Sequence, residues 1–153
     1  MIFNKQGVIT IAFRDYFIKV KPANELCIPE KHGNWFDLKC AETINLLPNT
    51  YIEIPLGVCM QLPSGYEAIV APRSSTFKKF GIILVNSIGI IDSDYFGDDD
   101  WWRFPAYCTK LGTIDAGTRI AQFRILYKQP SVKLIKVESL GNPSRGGLGS
   151  TGD

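Results

Sequence analysis

A guanidinium beside two hydroxyls at Arg73-Ser74-Ser75 is the first of several stretches in this sequence that could form an anion site. The residues from Ser74 to Phe80 read as one short helical turn stopped by Gly81, and the amide groups at a helix start attract negative charge. The final stretch, Arg145-Gly146-Gly147-Leu148-Gly149-Ser150-Thr151-Gly152, joins an arginine and two hydroxyls to glycines, whose backbone N–H groups can converge on an anion without a Cβ in the way. It lacks both the residue order and the strand-to-helix setting of a phosphate-binding P-loop. In Gly117-Thr118-Arg119-Ile120-Ala121-Gln122, a regular strand would point Arg119 and Gln122 to opposite faces, so both serve one ligand only if a bulge intervenes. Asn86-Ser87-Ile88-Gly89-Ile90-Ile91-Asp92-Ser93-Asp94-Tyr95-Phe96-Gly97 runs an apolar arm into two carboxylates, Asp92 and Asp94, on one side of an extended chain. Two like charges that close need a partner or a task.

The elements that must hold these groups are short. Tyr51 to Leu56, Tyr66 to Ala71, Gly81 to Val85, Arg119 to Tyr127 and Val132 to Val137 are rich in Ile, Val, Tyr and Phe and lack helical periodicity, which predicts strands. Turn signals separate them at Leu47-Pro48-Asn49, Leu62-Pro63-Ser64-Gly65, Asp115-Ala116-Gly117 and Gly141-Asn142-Pro143. Strands at that spacing predict an all-β sandwich or barrel of jelly-roll type with one short helix. The whole chain, 1–153, reads as a single domain, with 141–153 a flexible glycine-rich arm.

Composition narrows the function. The chain is 45% hydrophobic and 21% charged with a net charge of +2, which predicts a soluble globular protein without the broad basic footprint of a nucleic-acid binder. The N-terminal residues do not follow a secretory signal and no apolar run reaches membrane-span length, so a cytoplasmic protein with no membrane partner is expected. Cys27, Cys40, Cys59 and Cys108 show no C-x-x-C spacing and are expected to be free thiols. His32, the sole histidine, sits beside Lys31 and Gly33 in an expected loop and is not expected to be catalytic.

Taken in order, Trp35 to Glu42, Pro72 to Ser75, Asn86 to Gly97, Gly117 to Gln122 and Gly146 to Gly152 resemble the motifs of the trimeric dUTPase family, over nearly the whole chain from Gly33 onward. The resemblance implies a distorted jelly-roll, a homotrimer whose active sites are shared between subunits, and hydrolysis of dUTP to dUMP and pyrophosphate with Mg²⁺ on the triphosphate. It makes Asp92 the base that activates the attacking water, and Asp37 an acid that meets the metal through water. Asn86 and the backbone at Gly89 and Ile91 would read uracil, and Tyr95 would exclude a 2′-hydroxyl. Arg73, Ser74, Ser75 and Gln122, with Arg145, Leu148, Gly149, Ser150 and Thr151 of the arm, would contact substrate, while Arg119 has a structural alternative.

Three departures stand out. The last motif lacks the usual arginine and aromatic lid, with Pro143 and Leu148 at those positions. An acidic turn, Asp98-Asp99-Asp100, precedes Trp101-Trp102, making Trp101, Trp102 and Phe104 candidates for the missing lid, although adjacent strand residues allow only one Trp on the core face. Trp35-Phe36 replaces the usual Gly-Tyr. A dCTP deaminase would share the Arg-Ser-Ser segment but require a glutamate in the strand after the Asp hairpin, where this chain reads Asp-Trp-Trp-Arg-Phe. A dUTP-sensing protein that controls a regulatory partner is the alternative from another class, and the retained Asp92 argues for catalysis beside any such role.

Overall fold

Strict alternation along Tyr66–Pro72, with Tyr66, Ala68 and Val70 buried and the residues between them half-exposed, sends one face of that strand into the core and the other outward. The computed structural model describes residues 2–3, 9–10, 15–144 and 146. Its strands are β1 (Ile2–Phe3), β2 (Ile9–Thr10), β3 (Lys19–Pro22), β4 (Glu30–His32), β5 (Trp35–Lys39), β6 (Ile44–Leu46), β7 (Thr50–Pro55), β8 (Val58–Gln61) and β9 (Tyr66–Pro72). After helix α1 (Thr76–Phe80) come β10 (Ile82–Leu84), β11 (Gly89–Ile91), β12 (Arg103–Cys108), β13 (Gly112–Ile114) and β14 (Arg119–Tyr127).

The strands form an antiparallel jelly-roll. One sheet has the order β11-β9-β14-β5-β4 and a second has the order β10-β12-β7, while β13-β6, β3-β8 and β1-β2 are paired ribbons. Aromatic side chains occupy the core: Phe123 of β14 stacks on Phe36 of β5 at 5.2 Å, and Trp102 meets Phe123 edge-on at 5.2 Å. Such pairs add about 0.5–1.5 kcal/mol each beyond the area they bury. Only Trp102 of the adjacent tryptophans joins this core, as alternation requires; Trp101 is half-buried.

Four predicted strands form within a residue or two of their expected ends, and each predicted turn holds a residue at positive φ, among them Asn49 at 63° and Gly65 at 84°. Gly81 leaves the strand expected at Gly81 to Val85 because it is the left-handed C-cap of α1, with φ 64°. The helix itself begins at Thr76, and the Ser75 side chain makes no cap hydrogen bond, contrary to the expected serine cap. His32 closes β4 rather than lying in a loop.

The strand expected at Val132 to Val137 does not form. Both edges of β14 are taken by β9 and β5, so the chain beyond Tyr127 cannot fold back to pair beside β14. Leu134 and Ile135 stand 95% and 81% exposed. No helix among the described residues is long and apolar enough to cross a membrane.

All four cysteines are free and buried, as expected, and burial pushes the Cys40 thiol up to about 11. Because the thiolate is the reactive form, all four should resist iodoacetamide at pH 7.5 in the native chain and react together in guanidinium. Fast labelling of the native chain at Cys40, followed by mass spectrometry, would contradict the burial described here.

Candidate functional site

Among the described residues, the polar side chains buried in the core are Asp37 and Thr76, and they belong to one cluster. Burying a carboxylate is costly unless cations and hydrogen bonds meet it. Asp37, on β5, has both oxygens met: Arg73 Nε donates to Oδ1 at 2.9 Å, Arg119 Nη1 donates to Oδ2 at 3.2 Å, and His32 Nδ1 lies 3.1 Å from Oδ2. The three partners arrive from the end of β9, the start of β14 and the end of β4.

A register shift in β14 gathers them. Arg119 faces Lys39 and Ala121 faces Leu38, so three residues of β14 span two of β5, and Gln122 then falls opposite Asp37. This is the bulge that the sequence required for Arg119 and Gln122 to share a face. It also buries Ile120 and Ala121 in succession, which a regular strand would not do. Gln122 Nε2 donates to the Pro72 carbonyl at 3.2 Å, tying this face to the segment that carries Arg73.

Thr76 locks that segment. Its hydroxyl accepts from Arg73 N at 3.1 Å and donates to the Ile120 carbonyl at 2.7 Å, joining the Arg-Ser-Ser turn to the bulge. Sequence reading assigned the helix start to the serines and missed Thr76; the hydroxyl next to Ser75 was the available signal. With Ser75 making no cap bond, Ser74 exposed and Arg73 spending Nε on Asp37, the turn presents hydroxyls and guanidinium N–H donors next to an open hollow of about 610 Å³. The hollow is lined by Pro72, Arg73, Ser74, Phe77, Ile83 and Ser87, among others.

The second group of expected site residues lies on the turn between β10 and β11, on β11 and on the turn after it. Gly89 faces Val70 and Ile91 faces Ala68 across β9. A Cβ at Gly89 would stand 3.1 Å from the Val70 Cβ, so glycine permits the close pairing of this arm. Asn86 is exposed in the turn before β11, with its carbonyl accepting from Ile88 N, and Asp92 is exposed just after β11. Tyr95 is 40% exposed and its hydroxyl is 3.5 Å from the Trp101 carbonyl.

Ser87, next to Asn86, lines the hollow beside Arg73, but within one protomer Asp92 lies apart from Arg73. Asp92 follows Ile91, opposite Ala68, whereas Arg73 follows Pro72 at the other end of β9. At about 3.3 Å per residue the strand between them spans roughly 15–20 Å. Arg145, Leu148, Gly149, Ser150 and Thr151 lie outside the described residues.

Two of the three lid candidates are excluded by burial: Trp102 is 1% exposed and Phe104 is fully buried. Trp101 remains, its ring 5.5 Å from Lys21 Nζ. The acidic turn is structural in this protomer, since Lys21 Nζ donates to Asp98 and Asp100 Oδ2 accepts from Gly97 N at 2.6 Å.

Comparison with known proteins bears on the family and the fold. A family model described as dUTPase matches residues 28–152. The chain is 53% identical over 122 residues to the SPbeta prophage-derived deoxyuridine 5′-triphosphate nucleotidohydrolase of Bacillus subtilis (strain 168), covering 80% of this chain and 86% of that protein. It is 36% identical over 126 residues to the deoxyuridine 5′-triphosphate nucleotidohydrolase of Neorickettsia sennetsu, covering 80% and 83%. Among solved structures, a glycine-to-serine mutant of the dUTPase of Staphylococcus bacteriophage 80alpha with dUpNHpp superposes with TM-score 0.72 at 21% identity, covering 90% of this chain and 99% of that one. The dUTPase of Streptococcus mutans superposes at 0.67 with 23% identity, covering 78% and 100%.

Replacing Thr76 by valine keeps the shape and removes both hydroxyl bonds. A cost of about 1–3 kcal/mol is expected, read as a lower urea midpoint at unchanged slope. An unchanged midpoint would show that the Arg73 turn does not depend on Thr76.

Proposed function

The chain belongs to the dUTPase family, and we propose that it hydrolyses dUTP to dUMP and pyrophosphate by attack of an Asp92-activated water on the α-phosphorus. The observation that supports this most is the buried Asp37 holding Arg73 beside Ser74 and Ser75, a costly arrangement that orients donors toward an anion. Arg73, Ser74, Ser75 and Gln122 bind the phosphates in this reading, joined by Arg145, Leu148, Gly149, Ser150 and Thr151 of the arm. Asn86 and the backbone of Gly89 and Ile91 read the uracil edge, rejecting cytosine by leaving polar groups unpaired. Tyr95 packs on the sugar and excludes a 2′-hydroxyl, and half-buried Trp101 is the aromatic lid. Asp92 is an exposed carboxylate and a modest base, so its effect comes from placing water in line with the leaving pyrophosphate.

The substrate is the magnesium complex of dUTP, whose own oxygens hold the ion and whose charge the ion offsets. A resident magnesium site does not fit the Asp37 cluster. No group of three His, Cys, Asp or Glu side chains converges among the described residues, and two guanidinium charges already offset Asp37. In this reading Asp37 orients Arg73, as its two guanidinium partners support.

The separation of Asp92 from Arg73 along β9 supports a site shared between protomers of a homotrimer. The α-phosphorus and the terminal phosphate of one nucleotide are only a few bonds apart, so a neighbour's Asp92 must complete each phosphate site. The apolar segment Val132 to Val137, unpaired in its own protomer, suits a neighbour's surface.

Pyrophosphate release from dUTP, dCTP, dTTP and UTP with Mg²⁺ tests the reading. Only dUTP is expected to be cut, and Asp92→Asn should lower kcat by about 10²- to 10⁴-fold while dUTP still binds. Cleavage of dCTP or UTP at comparable rates, or an active Asn variant, would contradict it.

A further inference from the structure

His32 had no expected role, yet it touches two members of the Asp37 cluster at once. Its Nδ1 lies 3.1 Å from Asp37 Oδ2, and its Nε2 lies 3.2 Å from Arg119 Nη1. The same Arg119 nitrogen donates to Asp37 Oδ2 at 3.2 Å, so three groups close a small ring around one carboxylate oxygen. The chemistry of the partners fixes the proton. Arg119 donates to Nε2, since a guanidinium can only donate and Nε2 must present its lone pair, while Nδ1 lies beside Oδ2 without an in-line hydrogen bond to it. The arrangement therefore specifies a neutral imidazole in the Nδ1–H form.

We propose that His32 is a positioning residue for the nucleotide's phosphates: it fastens Arg119 to Oδ2 of Asp37, which keeps Oδ1 turned to Arg73. This rests on the reading of Arg73 as a phosphate ligand. Arg119 is 39% exposed at its side chain, so without a second anchor it regains rotamers, and the carboxylate it holds is free to turn. Arg73 would then be ordered only when substrate arrives, at the expense of binding. The step that breaks the phosphate bond uses Asp92, which lies elsewhere, so His32 should govern KM more than kcat.

The side chain of His32 is about half-exposed at the end of an edge strand, so its replacement should leave the fold intact. His32→Phe keeps a ring and removes both nitrogens; His32→Gln retains one donor and one acceptor. The Phe variant is expected to raise KM for dUTP roughly tenfold with kcat within about twofold, and the Gln variant to restore most of the loss. His32 is the sole histidine, so ¹⁵N-histidine labelling of the native chain gives one pair of ring signals, expected to show Nδ1 protonated and Nε2 bare. A Phe variant with native KM, or a spectrum with the proton on Nε2, overturns the proposal. A native chain that leaves dUTP uncut overturns the hydrolase reading and the binding role with it, and the spectrum then decides separately whether the bridge exists.

Discussion

A carboxylate with 2% of its surface exposed, held between two arginines, constrains much of this molecule. Removing water from Asp37 costs several kcal/mol, and only partners from distant parts of the chain can repay it. Arg73 lies 36 residues away in sequence and Arg119 lies 82. Their convergence needs β14 hydrogen-bonded between β5 and β9, a bulge at Ile120 to turn Arg119 onto the correct face, and Thr76 to pin the Arg73 turn to that bulge. The pairing of β14 between β5 and β9 and the Arg-Ser-Ser turn thus serve one electrostatic requirement as well as apolar burial. The packed pair Phe36 and Phe123 lies on the opposite face of the same strands and supplies the rigid base.

Much of this was legible in the residues because it is local. Turns at Asn49, Gly65, Gly117 and Gly141 declared themselves through residue types that tolerate positive φ, and Arg73-Ser74-Ser75 through its chemistry, while Gly89 was singled out only by the family resemblance. The bulge could be posed only as a condition, since alternation shows where two side chains conflict without showing how the backbone resolves it. Thr76 and His32 stayed hidden because their partners, the Ile120 carbonyl and Asp37 with Arg119, are brought near by pairing of strands remote in sequence. The opposite error occurred at Val132 to Val137, where an apolar pattern was read as a strand although a strand also needs a partner, and both sides of the preceding β14 are taken. Trp101 and Trp102 show the same limit: alternation gives one tryptophan to the core, and the packing against Phe123 decides that it is Trp102.

The proposed function divides over two half-sites. One, built on Asp37, presents Arg73, the serines and Gln122; the other, on β11 and the turn after it, presents Asn86, Gly89, Ile91, Asp92 and Tyr95. Each is rigid where strands hold it and open where substrate must enter, and β9 runs between them as a spacer. In the proposed reaction the spacer cannot be bypassed within a protomer, so chemistry waits on assembly. In that proposal, water activation is confined to complete assemblies, and the segment beyond Tyr127 covers a neighbour's surface.

Complementation tests this account most directly. Asp92→Asn and Arg73→Ala chains, each inactive alone, are unfolded together, refolded as a mixture and assayed for pyrophosphate release from dUTP. Sites that draw Asp92 from one protomer and Arg73 from another should regain activity in the mixture, because some pairings unite two native residues. A mixture as inactive as its components, with mixed assemblies verified by mass, would place both residues in one protomer's site and contradict the account.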